Sequence, residues 1–115
     1  MPLDHVALTV SDRERSAAFY AEHFGLTQHV HDDEHLLIVG DNDGSLLALW
    51  TGAPAAEDLP RTNHFGFRLS TRDDVLAARE RFRVAGVTEL EWQDHGPARV
   101  QVADPDGYRV EVYAF

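Results

Sequence analysis

Cysteine is absent from this chain of 115 residues, and so is lysine. The first absence excludes a disulfide framework, a thiolate metal site and a thiol nucleophile, and leaves the redox compartment open. The second leaves ten arginines as the strong bases against 20 acidic residues, for a formal net charge of −10. Those arginines are scattered, so there is no basic patch to neutralise a phosphate backbone, and nucleic acid is excluded as a partner. No apolar run approaches the ~18 residues of a membrane span. The N-terminal MPLDHVALTV lacks a basic start and carries Asp4 and His5 inside its first apolar stretch, unlike a secretory leader. The expected setting is cytoplasmic, with a small-molecule ligand or substrate and neither nucleic acid nor membrane.

What is present suits one domain over residues 1–115: 43% of the chain is hydrophobic and 26% charged. A domain of this size buries somewhat over ~60% of its unfolded surface and needs no covalent staple. Residues 3–10, LDHVALTV, read as a strand. Ser11 and Glu14 form a capping-box pattern that predicts a helix to about Phe24, with Gly25 as its C-cap. Short strands are expected near 27–31, 35–40 and 45–50, with turns at Asp32-Asp33-Glu34 and Asp41-Asn42-Asp43-Gly44. Residues 52–62 hold two prolines and no periodicity, a connecting loop. The order then repeats. Residues 63–69 read as a strand, Thr71 with Asp74 caps a helix over 72–85 ending at Gly86, and strands follow near 88–92, 98–103 and 108–114. Module one is about 1–51 and module two about 63–115.

The halves also match residue by residue. Leu3-Asp4-His5-Val6-Ala7-Leu8 aligns with Thr62-Asn63-His64-Phe65-Gly66-Phe67, and Asp41 to Leu49 aligns with Asp104 to Val112. Two copies of one unit indicate two associated modules, each too small to bury its own face.

The opening DHVALTV, the helix end AAFYAEHFGL, the histidine in NHFGF and the closing DPDGYRVEVYAF resemble the vicinal oxygen chelate superfamily. That group includes glyoxalase I, extradiol dioxygenases, fosfomycin-resistance thiol transferases and bleomycin-binding proteins. The resemblance runs from Leu3 to Tyr113. It implies an α+β fold, two βαβββ modules in tandem forming curled mixed sheets around a cleft, often with a metal on its floor.

Strand alternation sorts the faces independently of that resemblance. Val6, Leu8 and Val10 belong under a helix, which turns His5, Ala7 and Thr9 the other way. By the same logic His64, Gly66 and Arg68 face away from the second helix, as do Arg99 and Gln101, and Arg109, Glu111 and Tyr113. His5, His64 and Glu111 therefore project from the non-helix face of three strands. Two imidazoles and a carboxylate form a ligand set that leaves open positions on a divalent ion such as Fe, Mn, Ni or Zn. The resemblance places metal ligands at these three positions and at a fourth, which falls on Ala48 and cannot coordinate. Taken singly, each of the three also fits an ordinary surface or hydrogen-bonded residue.

Arg68, Arg99 and Arg109 on cleft faces suit a carboxylate, enolate or phosphonate ligand, while internal pairing, for instance Arg109 with Glu111, is the competing reading. Trp50, Gln101 and Tyr113 complete the expected substrate-binding set. His29, His31 and His35 flank an acidic turn and read as edge-hairpin residues, with His29 and His31 on one strand face. His23 suits a helix C-terminus.

The expected function is a small metal-dependent, glyoxalase-like enzyme of the lyase, thiol transferase or dioxygenase type. It would act on an anionic or vicinally oxygenated molecule through Lewis-acid catalysis. Each familiar activity lacks something. Glyoxalase I has a carboxylate where this chain has Ala48. Fosfomycin transferases run further past the last ligand, and extradiol dioxygenases resemble larger chains with an acid/base His and Tyr nearby. The alternative is a metal-free antibiotic-binding protein of the bleomycin-resistance kind. A homodimer is expected, because open sheets have edges to cover and the resemblance implies paired chains.

Overall fold

Two turns of the same construction anchor the two halves. Asp41 Oδ1 accepts the backbone N–H groups of Asp43 and Ser45 at 2.9 and 3.0 Å. Asp104 Oδ1 accepts those of Asp106 and Tyr108, both at 2.9 Å. Gly44 and Gly107 close these turns at φ +91° and +92°, a region where a side chain would be strained. A carboxylate that satisfies two amides and a glycine that can turn left-handed are what the repeated Asp-x-Asp-Gly supplies.

The structure is a computed structural model describing residues Met1 to Phe115. It has two units, Met1–Ala55 and Ala56–Phe115, each a βαβββ module of an α+β fold. Unit one runs β1 (His5–Val10), α1 (Arg13–Phe24), β2 (Gln28–Asp32), β3 (Leu36–Gly40) and β4 (Leu46–Thr51). Unit two runs from a 3₁₀ turn at Ala56–Asp58 through β5 (Phe65–Arg68), α2 (Arg72–Val84), β6 (Glu89–Gln93), β7 (Ala98–Ala103) and β8 (Arg109–Ala114). The sheets have the same mixed topology, β1-β4-β3-β2 and β5-β8-β7-β6, with the first pair of each parallel. No helix is long and apolar enough to cross a membrane.

The second helix starts as its sequence predicts: the Thr71 side chain accepts Asp74 N–H and the Asp74 carboxylate accepts Thr71 N–H. The first starts one residue later than expected. Asp12 caps it by accepting Arg15 N–H at 3.0 Å, while the Ser11 hydroxyl accepts from the Arg15 guanidinium instead. Asp and Ser cap exposed amides about equally well, but the carboxylate also meets the positive end of the helix dipole. Val75, Ala78 and Phe82, on one face of α2, are buried. This face packs on β7 and β8, whose Val100, Val102, Val110 and Val112 are buried too.

In β2 the register slips by one residue between His29 and His31, which pair with Val39 and Ile38. Cross-strand partners share a face, so the bulge puts these two histidines on opposite faces rather than together. His31 bonds Asp33 at 2.7 Å instead.

Candidate metal-binding site

β5 and β8 run in parallel with Gly66 opposite Glu111, and β7 lies on the other side of β8 with Gln101 opposite the same residue. His64 immediately precedes β5, so its side chain falls beside this row. Its Nδ1 donates to the carbonyl oxygen of Thr62 at 2.9 Å. A carbonyl only accepts, so this bond keeps a proton on Nδ1 and leaves the lone pair of the neutral ring on Nε2. That Nε2 faces Glu111 Oε2 at 3.6 Å, beyond hydrogen-bond reach.

With the ring neutral, a lone-pair nitrogen and a carboxylate oxygen face each other here, and that is the donor pair a cation wants. Donors at about 2.1 Å from one ion sit roughly 3.0–3.5 Å apart, and the observed pair is close to that. Gly66 leaves the necessary room. A Cβ built on it would lie 3.1 Å from Glu111 Cβ and 3.3 Å from Oε2. These two side chains therefore fit a divalent ion. Within unit two no third His, Asp or Glu completes a group of three.

The other oxygen of Glu111 is occupied. Oε1 accepts from Arg99 Nη1 and from Gln101 Nε2, each at 3.2 Å. The Gln101 Oε1 accepts from Arg109 Nη1 at 3.3 Å, and Arg99 Nη2 donates to Glu91 Oε1 at 2.7 Å. Burial works against the Arg99 charge, but the bonds to Glu91 and Glu111 outweigh it and hold its pKa above the ordinary value. The Arg99 hydrogen bond likewise holds the Glu91 carboxyl below its usual range. The Glu111 side chain is 10% exposed, so an unpaired charge there would be costly.

A hollow of about 500 Å³ is lined by Arg61, Thr62, His64, Glu91, Arg99, Gln101 and Glu111. Of the residues expected to serve the site, it gathers His64, Glu111, Arg99 and Gln101. Arg109 lies outside it, bonded to Gln101 and acting through its charge on Glu91. Arg68 and Tyr113, cross-strand partners on the same face as Glu111, lie outside it. Arg68 stacks on Phe115 with its guanidinium 5.3 Å from the ring centre, and Tyr113 meets the same ring edge-on.

His5 and Trp50 belong to unit one. His5 Nδ1 is 2.8 Å from Asp4 Oδ1, a carboxylate acceptor that again leaves Nε2 free, and Trp50 is 46% exposed. Ala48 pairs with Ala7 and Ile38. Arg109 does not pair with Glu111; Arg99 does. Sequence reasoning passed over Arg61 and Glu91, and it put Gly66 on the His64 face without giving it a role. Only Gly66 left a readable sign, a glycine inside a strand of aromatic residues.

The chain matches the Glyoxalase/Bleomycin resistance protein/Dioxygenase superfamily over residues 2–112, and it belongs to that family. It is 27% identical to the glutathione transferase FosA of Serratia marcescens, covering 96% of this chain and 79% of that protein. Its fold superposes on a possible glyoxalase from Bacillus cereus with a TM-score of 0.82 and 28% identity, over 97% of both chains. A lactoylglutathione lyase from Agrobacterium tumefaciens gives 0.78 and 25%, over 98% of this chain and 92% of that one.

Proposed function

We propose that this protein is a divalent-metal-dependent enzyme of the glyoxalase superfamily, acting on a small anionic or vicinally oxygenated molecule. The observation that carries the reading is the His64 Nε2 and Glu111 Oε2 pair, 3.6 Å apart, with each partner's second polar atom already bonded elsewhere. His64 and Glu111 would hold the ion together with His5, the third imidazole-or-carboxylate residue the family pattern marks. When bound, the ion supplies Lewis acidity for two adjacent substrate oxygens. The chain's own residues do the rest. Thr62 fixes the His64 tautomer, Gly66 keeps the floor open, and Arg99 and Gln101 hold Glu111. Arg61 lines the hollow, where its charge helps to hold the Glu91 carboxyl low, and it suits the negative end of a substrate.

The relatives include a glutathione transferase and a lactoylglutathione lyase. Ala48 stands where a fourth metal ligand would be, which favours addition of a nucleophile to an activated substrate over glyoxalase isomerisation. A homodimer in which His5 of one chain serves His64 and Glu111 of another accords with the duplicated design.

The test is metal depletion followed by readdition of Mn(II), Fe(II), Ni(II) or Zn(II). The assays are a melting curve and transfer of glutathione or water to an epoxide such as fosfomycin, with methylglyoxal and glutathione as the isomerase comparison. An ion at 100 times its Kd stabilises by about 2.7 kcal/mol. A protein whose Tm ignores every ion and that binds aromatic antibiotics unaided is the metal-free binder instead.

A further inference from the structure

The duplication carries an internal control for what Glu111 requires. In unit two, Gly66 and Gln101 stand opposite Glu111, and Arg99 stands opposite Tyr113. In unit one the matching positions are Ala7 and Ile38 opposite Ala48, and Leu36 opposite Trp50. Where the carboxylate is kept, its neighbours are a glycine, an amide and a guanidinium. Where alanine replaces it, they are alanine, isoleucine and leucine. The same backbone thus carries a polar network in one copy and an apolar patch in the other, and the network goes with the carboxylate.

Its geometry says what it does. An ionised carboxylate oxygen offers about two lone-pair sites, and both on Oε1 are taken, by Arg99 and by Gln101. The Gln101 amide cannot flip without losing Arg109 on its oxygen, so its NH₂ is held toward Glu111. Gln101 is 2% exposed, which denies it water as a substitute partner. The Arg99 charge is shared with Glu91 at 2.7 Å, so Glu111 receives a hydrogen bond without being the sole counter-ion.

We propose that Arg99 and Gln101 are positioning residues that occupy Oε1 of Glu111 and so make it a one-oxygen ligand through Oε2. This inference rests on the metal reading above. It reassigns the two residues from contacting substrate to shaping a ligand, and it keeps a coordination position open that a two-oxygen carboxylate would fill.

The experiment compares the parent with Gln101→Met, Arg99→Lys, His64→Ala and Glu111→Ala, each freed of metal and shown folded by its melting curve. Mn(II) affinity and the visible absorption of the Co(II) form are then measured. Outer-shell substitutions typically weaken metal binding about 10–100-fold, and that loss is expected in Gln101→Met, with a Co(II) spectrum altered by the second oxygen. Arg99→Lys keeps the charge but not the fork that spans Glu91 and Glu111. It is expected to weaken Mn(II) at least about fivefold, an independent check should Gln101→Met not fold. Affinity within twofold of the parent and an unchanged Co(II) spectrum in both variants, while Glu111→Ala loses the ion, would overturn the positioning role and leave the metal reading standing. A parent that binds neither ion removes both.

Discussion

Gly66→Ala is the smallest change that should reach the site, and its size can be worked out. The new Cβ would meet Glu111 Cβ at 3.1 Å, the Glu111 carbonyl oxygen at 3.2 Å and Oε2 at 3.3 Å. Comfortable carbon contacts lie at about 3.5–4.0 Å, so something must yield by a few tenths of an ångström. The β8 backbone is held between β5 and β7 and cannot retreat sideways. The carboxylate can rotate away, but only by stretching its bonds to Arg99 and Gln101. Overpacking of this kind costs about 1–3 kcal/mol. Gly66 is not among the glycines with positive φ, so alanine regains roughly 0.4–1 kcal/mol through the unfolded chain. The net expectation is a loss of up to ~2.6 kcal/mol, a fall in Tm of up to roughly 10 °C. Mn(II) affinity should fall as well, because the displaced atom is the proposed donor oxygen. Melting curves and an Mn(II) titration of the same sample give both numbers. An alanine variant with the parent's Tm and the parent's Mn(II) affinity would refute the packing argument.

Other consequences are equally direct. Asp33 is held at a pKa of about 2, below its ordinary 3.8, chiefly by the His31 hydrogen bond and then by the amides of His35 and Leu36. A depressed carboxylate contributes stability above its unfolded pKa and loses it as pH falls through the folded value. The His35 and Leu36 amide resonances should therefore titrate with a midpoint near 2, and a midpoint near 3.8 contradicts the turn geometry. Thr71→Ala removes one arm of the capping box and should cost ~1 kcal/mol, read as a lower denaturant midpoint at constant slope. If His5 is contributed by a second chain, dilution to monomer should weaken Mn(II) binding in parallel. An affinity independent of protein concentration would place all three ligands in one chain.

Much of this was legible in the chain itself, for definite physical reasons. The repeated Asp-x-Asp-Gly turns could be read because the side chain that satisfies the turn amides and the glycine that permits φ near +90° are both local. Thr71 with Asp74 could be read for the same reason. The Ser11 signal misled because Asp12, one residue later, caps about as well and also meets the helix dipole. Strand alternation placed Glu111, Arg99 and Gln101 on one face, as found. It could not say that Arg99 would turn toward two carboxylates, since Glu91 lies on a neighbouring strand behind a bulge whose register no local pattern encodes. Arg61 comes from the stretch before β5, where no periodicity assigns a direction. Alternation and the family resemblance together marked His5, His64 and Glu111, and of these the structure sets His64 beside Glu111. The 3.6 Å gap and the bonds that orient both partners came only with the backbone in place.

We propose that His64 and Glu111 hold one divalent ion, with His5 as the third residue to test. Equilibrium binding of Mn(II), followed through the electron paramagnetic resonance signal of the free ion, tests it in the parent and in His5→Ala, His64→Ala and Glu111→Ala. The account predicts one site per chain in the parent and at least a hundredfold weaker binding in each variant. A parent that leaves the free-ion signal untouched, or His64→Ala and Glu111→Ala proteins that bind as the parent does, would contradict it.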